Sequence, residues 1–459
     1  MGLSLPREIA YDAFVAVMNR RAKPEEFLNE AFSTYDKKLK RIDRNFIKEI
    51  LFGSLRWHKK LYWILQNTSK RDLDKSSGEI VAALVVGTYQ IFYLDRVPDR
   101  AAVNESVEYV RKRGQASACS FVNGILRQIA RRAEYFKKPD KVEQPVEYLS
   151  IQFAHPEWLV RRWLKKFRFE RMEQILARNN MAPVITARLN LLKVSPEKNH
   201  DLQVQLLKEE SIHTDRRPLR SALRFKDAPK FGQGSIFSQG LYTIQDESSQ
   251  LIAMMLAPQE EQTIVDACAG PGGKLSHIYE LGKGTLNLVA IEKDEKRLEL
   301  TKKAMERLDH QTGVTYVGED FREWKPDYPV HKILLDAPCS GMGVLRRHPE
   351  GKWHKSESAI PAMAETQWEM IRHGLSLLDE GGELVYSVCS FESEEGEAHM
   401  RRLEKEFGDH IKVVSPSDRI PDFYKKYVNR SRILEVYSGN QDDMDGFAAF
   451  IIKVQKKIG

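Results

Sequence analysis

Residues 263–281 read TIVDACAGPGGKLSHIYEL, which is an apolar strand-like run, a glycine-rich turn and a helical stretch. Four more strand-like runs follow, with helical stretches among them, at 286–292, 314–320, 332–338 and 383–390. Strands that alternate with helices predict a parallel, doubly wound sheet covered on both faces. We therefore predict an α/β domain over residues 261–459, to which the runs at 433–438 and 447–454 can add an antiparallel edge.

The chain before residue 261 shows two other patterns. Residues 1–140 carry apolar side chains at helical spacing, which predicts an all-α bundle. Gly87 and Gly124 lie inside apolar helical stretches, so we expect close helix packing at both. The polar stretch 136–145, with two prolines, predicts a linker, and residues 146–260 predict a small α+β connecting module.

The charge of the chain is concentrated near its N-terminus. The 459 residues have a net charge of +7, and residues 1–140 hold 26 Lys and Arg against 17 Asp and Glu. The remainder holds 46 against 48, by subtraction from the totals of 72 and 65. A basic helical module beside a near-neutral one favours a polyanionic partner, with an ordinary solvated surface as the alternative.

Composition excludes several other classes of protein. Apolar residues make up 42% of the chain, so a substantial core is expected and wholesale disorder is excluded. No apolar run approaches the roughly 18 residues of a membrane helix, and no apolar signal core begins the chain, so we expect a cytoplasmic protein without a membrane partner. Four cysteines without a Cys-x-x-Cys pair, and no histidine cluster of zinc-ligand spacing, predict no disulfide framework and no metal site.

The glycine-rich turn at 266–274 is typical of a nucleoside pocket. A turn of this kind between strand and helix brings backbone and helix N–H groups close to a ligand. Glu292 ends the next strand, where an acidic residue typically accepts hydrogen bonds from ribose hydroxyls. Asp320 ends the third strand and can receive an adenine amino group. These residues alone leave NAD, FAD and S-adenosylmethionine open as the ligand, and a purely structural turn remains the alternative.

Two of the four cysteines also fall at strand ends. Asp336-Ala-Pro-Cys339 ends the fourth strand-like run, and Cys389 ends the fifth. Ligands and catalytic groups gather beyond the carboxyl ends of parallel strands. Free cysteine is among the most buried residue types, and Cys119 fits that ordinary packing role in a helical stretch. Two strand-end cysteines beside a nucleoside pocket instead indicate catalysis.

The three motifs DACAGPGGK (266–274), DAPCSG (336–341) and Val-Cys-Ser (388–390) resemble the Nop/Sun family of RNA cytosine-C5 methyltransferases. The resemblance extends over the whole chain. Residues 52–57, 87–108 and 121–128 resemble the NusB-type RNA-binding domain that precedes the catalytic part in one bacterial branch, and 186–190 and 240–250 resemble its connecting module. A Rossmann-like fold for the catalytic domain and S-adenosylmethionine as its methyl donor are what the resemblance implies.

The resemblance also implies roles for individual residues. Cys389 attacks C6 of the cytosine, because the thiolate adduct makes C5 nucleophilic. Cys339 assists product release, and Asp336 hydrogen-bonds the base and manages protons. The implied cofactor site contains Cys268, Ala269, Gly270, Pro271, Gly272, Gly273, Lys274, Glu292, Asp320 and Asp336. The family commonly has Ala at 270, Asp at 292 and Thr at 388, and we expect Gly270 only to loosen the turn.

The implied substrate is a cytosine of 16S rRNA, by resemblance the one usually numbered 967, as free RNA or in a partly assembled particle. Such a base must be unpaired or flipped out. Candidate RNA contacts are Arg346, Arg347, Lys352 and Trp353, with an ordinary surface loop as the alternative. Basic clusters at 37–41, 111–113 and 131–132 are candidate phosphate contacts. A tRNA methyltransferase and a non-catalytic ribosome-assembly factor remain alternatives, and a monomer is the default expectation.

Overall fold

The computed structural model describes residues 2–132 and 138–458, which form two compact units. The helical unit contains residues up to 181 together with residues 345–357, and the α/β unit contains residues 182–344 and those from 358 onward. Residues 136 and 137 of the predicted linker lie outside the described part of the chain. A segment that follows the Cys339 motif in the sequence thus belongs to the helical unit.

Helices make up the helical unit, which confirms the predicted all-α class. They are α1 Leu5–Met18, α2 Pro24–Thr34, α3 Arg41–Thr68, α4 Gly78–Tyr93, α5 Asp99–Lys112, α6 Cys119–Arg132, α7 Pro145–Gln152, α8 Glu157–Leu164 and α9 Phe169–Asn179. The short helix α14, Gly351–His354, comes from the later segment. Helix α4 is the centre of the N-terminal bundle, since all its side chains from Ala82 to Gln90 are buried. Its first turn is capped by Ser77, whose hydroxyl accepts a hydrogen bond from the Ile80 N–H.

The two glycines of the bundle have different surroundings. A Cβ atom on Gly87 would lie 2.6 Å from Ser106 Oγ and 2.8 Å from Leu126 Cδ1, so the expected close packing is confirmed there. The same expectation for Gly124 is wrong, because Gly124 is exposed and no heavy atom lies within 4 Å of its would-be Cβ. A glycine inside a helix costs about 1 kcal/mol relative to alanine. Packing within the helical unit therefore does not account for Gly124.

The α/β unit begins with residues 182–260 of the predicted connecting module, whose residues 146–181 lie in the helical unit instead, and continues into the doubly wound domain. Its helices are α10 Asn199–Glu210, α11 Glu247–Leu256, α12 Gly273–Leu281, α13 Glu295–Leu308, α15 Ala359–Ser376 and α16 Glu397–Phe407. Its strands are β1 Ile185–Leu189, β2 Thr214–Arg216, β3 Ala222–Phe225, β4 Tyr242–Ile244, β5 Thr263–Asp266, β6 Asn287–Ile291, β7 Val314–Val317, β8 Val330–Asp336, β9 Leu378–Val388, β10 Ile411–Val414, β11 Leu434–Val436 and β12 Phe447–Val454. Strands β1–β4 form a small antiparallel sheet in the order β2-β3-β1-β4.

The large sheet has the order β10-β12-β9-β8-β5-β6-β7, and β11 pairs with β12. Strands β5 to β9 are parallel, whereas β12 runs antiparallel to β9 and β10, so the predicted sheet and its antiparallel edge are confirmed. Successive side chains of a strand point to opposite faces. In β5, Ile264 and Val265 accordingly enter two different buried clusters, one on each face. None of the helices in the described ranges is long and apolar enough to cross a membrane.

Candidate active site

The motif residues converge at the carboxyl ends of the parallel strands. A cavity of about 400 Å³ opens there, and every strand from β5 to β9 contributes to its lining or is followed by a loop that does. The lining residues are Ala267, Cys268, Glu292, Lys293, Arg297, Glu319, Asp320, Phe321, Arg322, Asp336, Ala337, Pro338, Cys339, Thr366, Met370 and Cys389. The cavity volume falls in the range of small-molecule and cofactor sites.

The glycine-rich turn joins β5 to α12 and is held by backbone hydrogen bonds. Ala269 N donates to Ile291 O at 2.9 Å, which ties the turn to the end of β6. Gly272 has a φ of +93°, a left-handed conformation that favours glycine. Helix α12 starts at the next residue, so its first N–H groups lie beside the turn. The Arg297 guanidinium donates to the Gly270 carbonyl.

Arg188 fixes the far side of this turn. It is fully buried on β1 of the connecting module and donates to Gly273 O at 2.9 Å and Ser276 Oγ at 2.8 Å. Its Nη2 also lies 2.7 Å from the buried carboxylate of Glu280 on α12. The connecting module thereby positions the helix that carries Lys274. Sequence reasoning included Arg188 only as part of the 186–190 resemblance, because a single basic residue in a strand does not reveal its buried partner.

Asp336 is the centre of a polar group at the end of β8. Lys274 Nζ donates to its Oδ2 at 2.6 Å, and Ser387 Oγ on the adjacent strand donates to its Oδ1 at 2.8 Å. Burial favours the neutral form of Lys274, but the charge and the hydrogen bond of Asp336, together with the charges of Cys389 and Asp266, raise the lysine's pKa above its usual value. Lys274 therefore stays charged, and both carboxylate oxygens of Asp336 have fixed partners.

Glu292 lies at the end of β6 and is almost fully buried. Its Oε1 accepts from Asp294 N at 3.1 Å, and its Oε2 lies 3.3 Å from Arg297 Nε. A Cβ on Gly270 would approach that Oε2 atom to 2.5 Å. The expectation that Gly270 only loosens the turn is therefore wrong, since glycine there leaves the space that the longer Glu292 side chain occupies.

Gly270→Ala is expected to weaken S-adenosylmethionine binding by about tenfold to a hundredfold, because it displaces a carboxylate placed for charged hydrogen bonds. Glu292→Asp should also weaken binding, since the shorter side chain ends one methylene earlier. The double variant should bind better than Gly270→Ala, because Asp leaves the alanine Cβ its space. Titration calorimetry on the wild type, the two single variants and the double variant measures how far the effects of the two substitutions depend on each other. Gly318→Ala is the control, as its Cβ would make only an ordinary 3.5 Å contact with Leu298.

Asp320 follows β7 and is held by a two-pronged ion pair. Arg322 donates to it through Nε at 3.0 Å and through Nη2 at 2.9 Å. The hydrogen bonds from Arg322 keep the pKa of Asp320 well below its usual range. The carboxylate is therefore ionised at neutral pH, as an acceptor for an amino group must be.

The two strand-end cysteines lie side by side. Cys339 Sγ is 3.1 Å from Cys389 Sγ, and both residues are partly buried in the cavity wall. The hydrogen bond to Cys389 and burial raise the pKa of Cys339 well above its usual value. Cys339 therefore keeps its proton at neutral pH and can donate it to the neighbouring sulfur. That arrangement suits Cys389 to the role of thiolate.

Glu395 links the two cysteine loops and was not predicted. Its side chain is fully buried and accepts from Ser340 N at 2.7 Å and from Gln367 Nε2 at 3.0 Å. Ser340 Oγ donates to the same carboxylate and also contacts Ser390 Oγ at 3.2 Å. Because Ser340 follows Cys339 and Ser390 follows Cys389, Glu395 fixes the distance between the two thiols. The acidic run at 392–397 resembles a solvated surface, which hides this role in the sequence.

Asp266 is a second residue that the motif contains but the prediction did not single out. Its carboxylate is buried, and neither oxygen has a hydrogen-bond partner among the described side chains and backbone groups. Burial, followed by the charge of Asp336, raises the pKa of Asp266 to about 7. Burial likewise raises the pKa of Cys268 far above its usual value, so that thiol is protonated and unreactive.

The free energy of unfolding should depend on pH partly through Asp266. Because its folded-state pKa of about 7 exceeds its ordinary value, its contribution is present at low pH and is lost as pH rises through 7. The full effect is up to about 4 kcal/mol. The melting temperature of the wild type should fall between pH 5 and pH 8. Asp266→Asn should remove part of that fall and raise the melting temperature at pH 8. The exposed Asp327→Asn should leave the fall unchanged, and an equal effect of both variants would contradict the assignment.

Two of the four predicted RNA contacts, Arg346 and Lys352, are corrected by their burial, whereas Trp353 is half-buried. Lys352 is 1% exposed, and its Nζ donates to Arg56 O at 2.9 Å, Ala154 O at 3.1 Å and Asn180 Oδ1 at 2.7 Å. Trp353 Nε1 donates to Leu55 O at 2.7 Å. Both side chains hold residues 345–357 within the helical unit, and the buried Lys352 ammonium is not presented to a nucleic acid.

The remaining basic candidates divide by exposure and pairing. Arg346 is buried, and Arg347 is partly exposed. Ion pairs neutralise the 111–113 cluster, since Arg111 pairs with Glu108, Lys112 with Glu8 and Arg113 with Asp12. The side chain of Arg132 lies outside the described part of the chain, whereas Lys37, Lys38, Lys40 and Arg41 follow the exposed end of α2. Sequence alone does not show which charges are already paired.

A doubly wound sheet, a nucleoside-sized cavity at its strand ends and a ribose-type acceptor define a Rossmann-like nucleoside-binding domain. The family that matches this domain makes it an S-adenosylmethionine-dependent methyltransferase. Residues 253–454 match the family model described as 16S rRNA methyltransferase RsmB/F. Residues 4–131 match the NusB family, and residues 155–230 match the ferredoxin-like domain of the RsmF/B-like methyltransferases.

Curated relatives match the chain over nearly its full length. A probable ribosomal RNA small subunit methyltransferase B of Bacillus subtilis is 32% identical, with 98% of each chain covered. The ribosomal RNA small subunit methyltransferase B of Proteus mirabilis is 32% identical over 85% of this chain and 89% of its own. The chain therefore belongs to the RsmB/F family of methyltransferases.

Solved structures show the same fold. The crystal structure of PH0851 has a TM-score of 0.81 and 22% identity, and it covers 99% of this chain and 100% of its own. A methyltransferase homologue from Pyrococcus horikoshii has a TM-score of 0.56 and 23% identity, covering 68% of this chain and 99% of its own.

The residues at the strand ends fit S-adenosylmethionine. Two buried carboxylates, Glu292 and Asp266, offer acceptors to a ligand with a ribose and a net positive charge. The absence of a Cβ on Gly270 leaves space beside Glu292. Asp320 offers a further ionised acceptor in the lining of the same cavity.

Proposed function

We propose that this protein methylates C5 of a cytosine in 16S rRNA, by family resemblance the one usually numbered 967, through a covalent adduct between Cys389 and C6. The observation that carries the proposal is the pair of thiols 3.1 Å apart at the ends of two adjacent strands, beside Asp336 and the cofactor cavity. One thiol alone can form an adduct. A second, protonated thiol at this distance supplies a separate group that helps to break the adduct and release the product.

The first step belongs to Cys389. Its thiolate adds to C6, a bond forms between sulfur and C6, and the electron pair of the C5–C6 double bond moves to C5. S-adenosylmethionine, when bound, supplies the methyl group that becomes attached to C5. Asp336, fixed by Lys274 and Ser387, orients the base through a hydrogen bond during this step.

The second step belongs to Cys339. The pKa of this thiol is raised chiefly by its hydrogen bond to Cys389, and that cause disappears once the Cys389 sulfur is bonded to C6. Cys339 then loses its proton to solvent more readily, and the resulting thiolate takes the proton from C5. The electron pair left by that proton re-forms the C5–C6 double bond, and the Cys389 thiolate leaves.

Bisulfite sequencing of small-subunit rRNA, from cells with and without the protein, tests the proposed function. We expect one unconverted cytosine that is lost on deletion and restored by the wild-type chain but not by Cys389→Ala. An unchanged rRNA pattern with a lost tRNA signal would move the substrate to tRNA. Unchanged patterns in both RNAs would contradict the enzyme assignment and favour an assembly factor.

A further inference from the structure

A cationic cavity lies between α5 and α6 in the helical unit. Its lining shares no residue with the lining of the cofactor cavity. Its volume is about 310 Å³, and its lining contains Asp99, Arg100, Val103, Asn104, Arg127, Ala130 and Arg131. Three guanidinium groups against one carboxylate give the lining a net charge of +2. All three arginines are exposed at the cavity mouth.

These arginines are not engaged in the way that the 111–113 cluster is. Within the described ranges, no carboxylate forms an ion pair with any of the three, and Arg127 donates only to Asn123 Oδ1, at 3.0 Å. Guanidinium groups bind phosphate through two parallel hydrogen bonds. A cavity with three such groups is therefore ready to bind a phosphate without first breaking internal ion pairs.

The face of α6 beside the cavity is exposed and leaves room for the backbone of a ligand chain. Gly124, Arg127, Gln128 and Arg131 follow the i, i+3, i+4, i+7 spacing of one helix face, and all four are exposed. Among the described residues, no heavy atom lies within 4 Å of a Cβ on Gly124. None of the large apolar side chains that the structure describes as exposed lies on α5 or α6. Protein interfaces have apolar, aromatic centres, whereas arginines and amides on a bare helix face are typical of phosphate and sugar contacts.

We propose that this surface, formed by Arg100, Arg127 and Arg131 with the open helix face at Gly124, binds the phosphate backbone of the substrate RNA. The proposal rests on the proposed function, because it takes RNA as the substrate. It gives part of the basic excess of residues 1–140 a defined place. The contacts are to phosphate, so they position the RNA and do not select the cytosine.

Salt-dependent binding of the full-length protein tests the surface. The probe is a fluorescein-labelled hairpin transcribed from small-subunit rRNA, followed by polarisation between 50 and 300 mM KCl (roughly the range over which phosphate contacts weaken). The variant Arg100→Gln/Arg131→Gln should bind about tenfold more weakly at intermediate salt. The slope of log affinity against log salt should shrink by about 1.4 to 1.8, since each lost phosphate contact removes about 0.7 to 0.9.

The control removes the same number of charges from the paired cluster. Arg111→Gln/Lys112→Gln should change the slope by less than half as much, because those charges already face Glu108 and Glu8. Equal slopes for the two double variants would overturn the proposal, since only overall charge would then matter. In steady-state assays the Arg100→Gln/Arg131→Gln variant should raise KM for the hairpin and leave kcat unchanged.

Gly124→Gln gives a second, independent readout. Filling an exposed helical glycine should raise the melting temperature by about 2 to 4 °C, because the helix gains intrinsic propensity. RNA binding should nevertheless weaken, because the side chain enters the space left for the backbone. Unchanged RNA binding in this stabilised variant would overturn the placement of RNA against α6. A wild-type protein that binds but does not methylate rRNA would instead count against the proposed function.

Discussion

Replacing Cys389 by serine is expected to reduce methyl transfer at least about 1000-fold, because a serine hydroxyl is a far weaker nucleophile than a thiolate at neutral pH. Cys339 donates toward this sulfur at 3.1 Å and keeps its own proton, so no other ionised thiol is available beside the cavity. The measurement is transfer of labelled methyl groups from S-adenosylmethionine to an rRNA hairpin in a single turnover, with reductant present. Cys119→Ser, in the helical unit, should retain full activity.

Cys339→Ala should give the opposite phenotype. Attack by Cys389 remains possible, but the group that takes the C5 proton is gone, so the methylated adduct should accumulate. A denaturing gel should then show a protein–RNA band that needs both Cys389 and S-adenosylmethionine. Substantial methyl transfer by Cys389→Ser, or no band with Cys339→Ala, would show that the two roles are assigned wrongly.

Arg188→Met is expected to destabilise the α/β unit by about 3–5 kcal/mol, because it leaves the buried carboxylate of Glu280 without its partner. The loss should also reach the cofactor site. Without Arg188 the hydroxyl of Ser276 loses its donor and the carbonyl of Gly273 keeps only Ser276 Oγ, so the helix that carries Lys274 is held less firmly. Denaturant unfolding and S-adenosylmethionine titration measure the two effects.

The double variant Arg188→Met/Glu280→Leu separates charge from packing. Replacing both members of a buried ion pair by apolar groups is often neutral, so most of the stability should return. Cofactor affinity should stay reduced, because the hydrogen bonds to the turn are still missing. Arg188→Met with wild-type stability would show that the ion pair is not what holds α12 in place.

The motifs predicted much of the site because their chemistry is local. A glycine-rich turn between a strand and a helix, an acidic residue at the next strand end and two strand-end cysteines were each visible in consecutive residues. The doubly wound sheet then placed them together, since parallel strands end at one edge. The expected close packing held for Gly87, whose would-be Cβ meets Ser106 and Leu126, and failed for Gly124, which lies on the exposed face of its helix.

Other features were decided by distant partners. Lys352 and Trp353 lie in a basic, aromatic loop that looks exposed in the sequence, yet the buried Lys352 and the half-buried Trp353 donate to backbone carbonyls about 200 to 300 residues earlier in the chain. Glu395 and Arg188 have no sequence signature of their own, because their roles depend on groups from several elements. Gly270 and Glu292 constrain each other only through space.

The sequence by itself determined the class of fold, the nucleotide-type pocket and the two candidate thiols, because strand–helix alternation and strand-end chemistry are encoded in short stretches. Only the tertiary structure decided which charged groups are paired and which are available. A charge is neutralised by whatever lies within a few ångströms of it, and that neighbour can come from any part of the chain. The same reason separates the paired arginines at 111 and 113 from the open ones at 100 and 131.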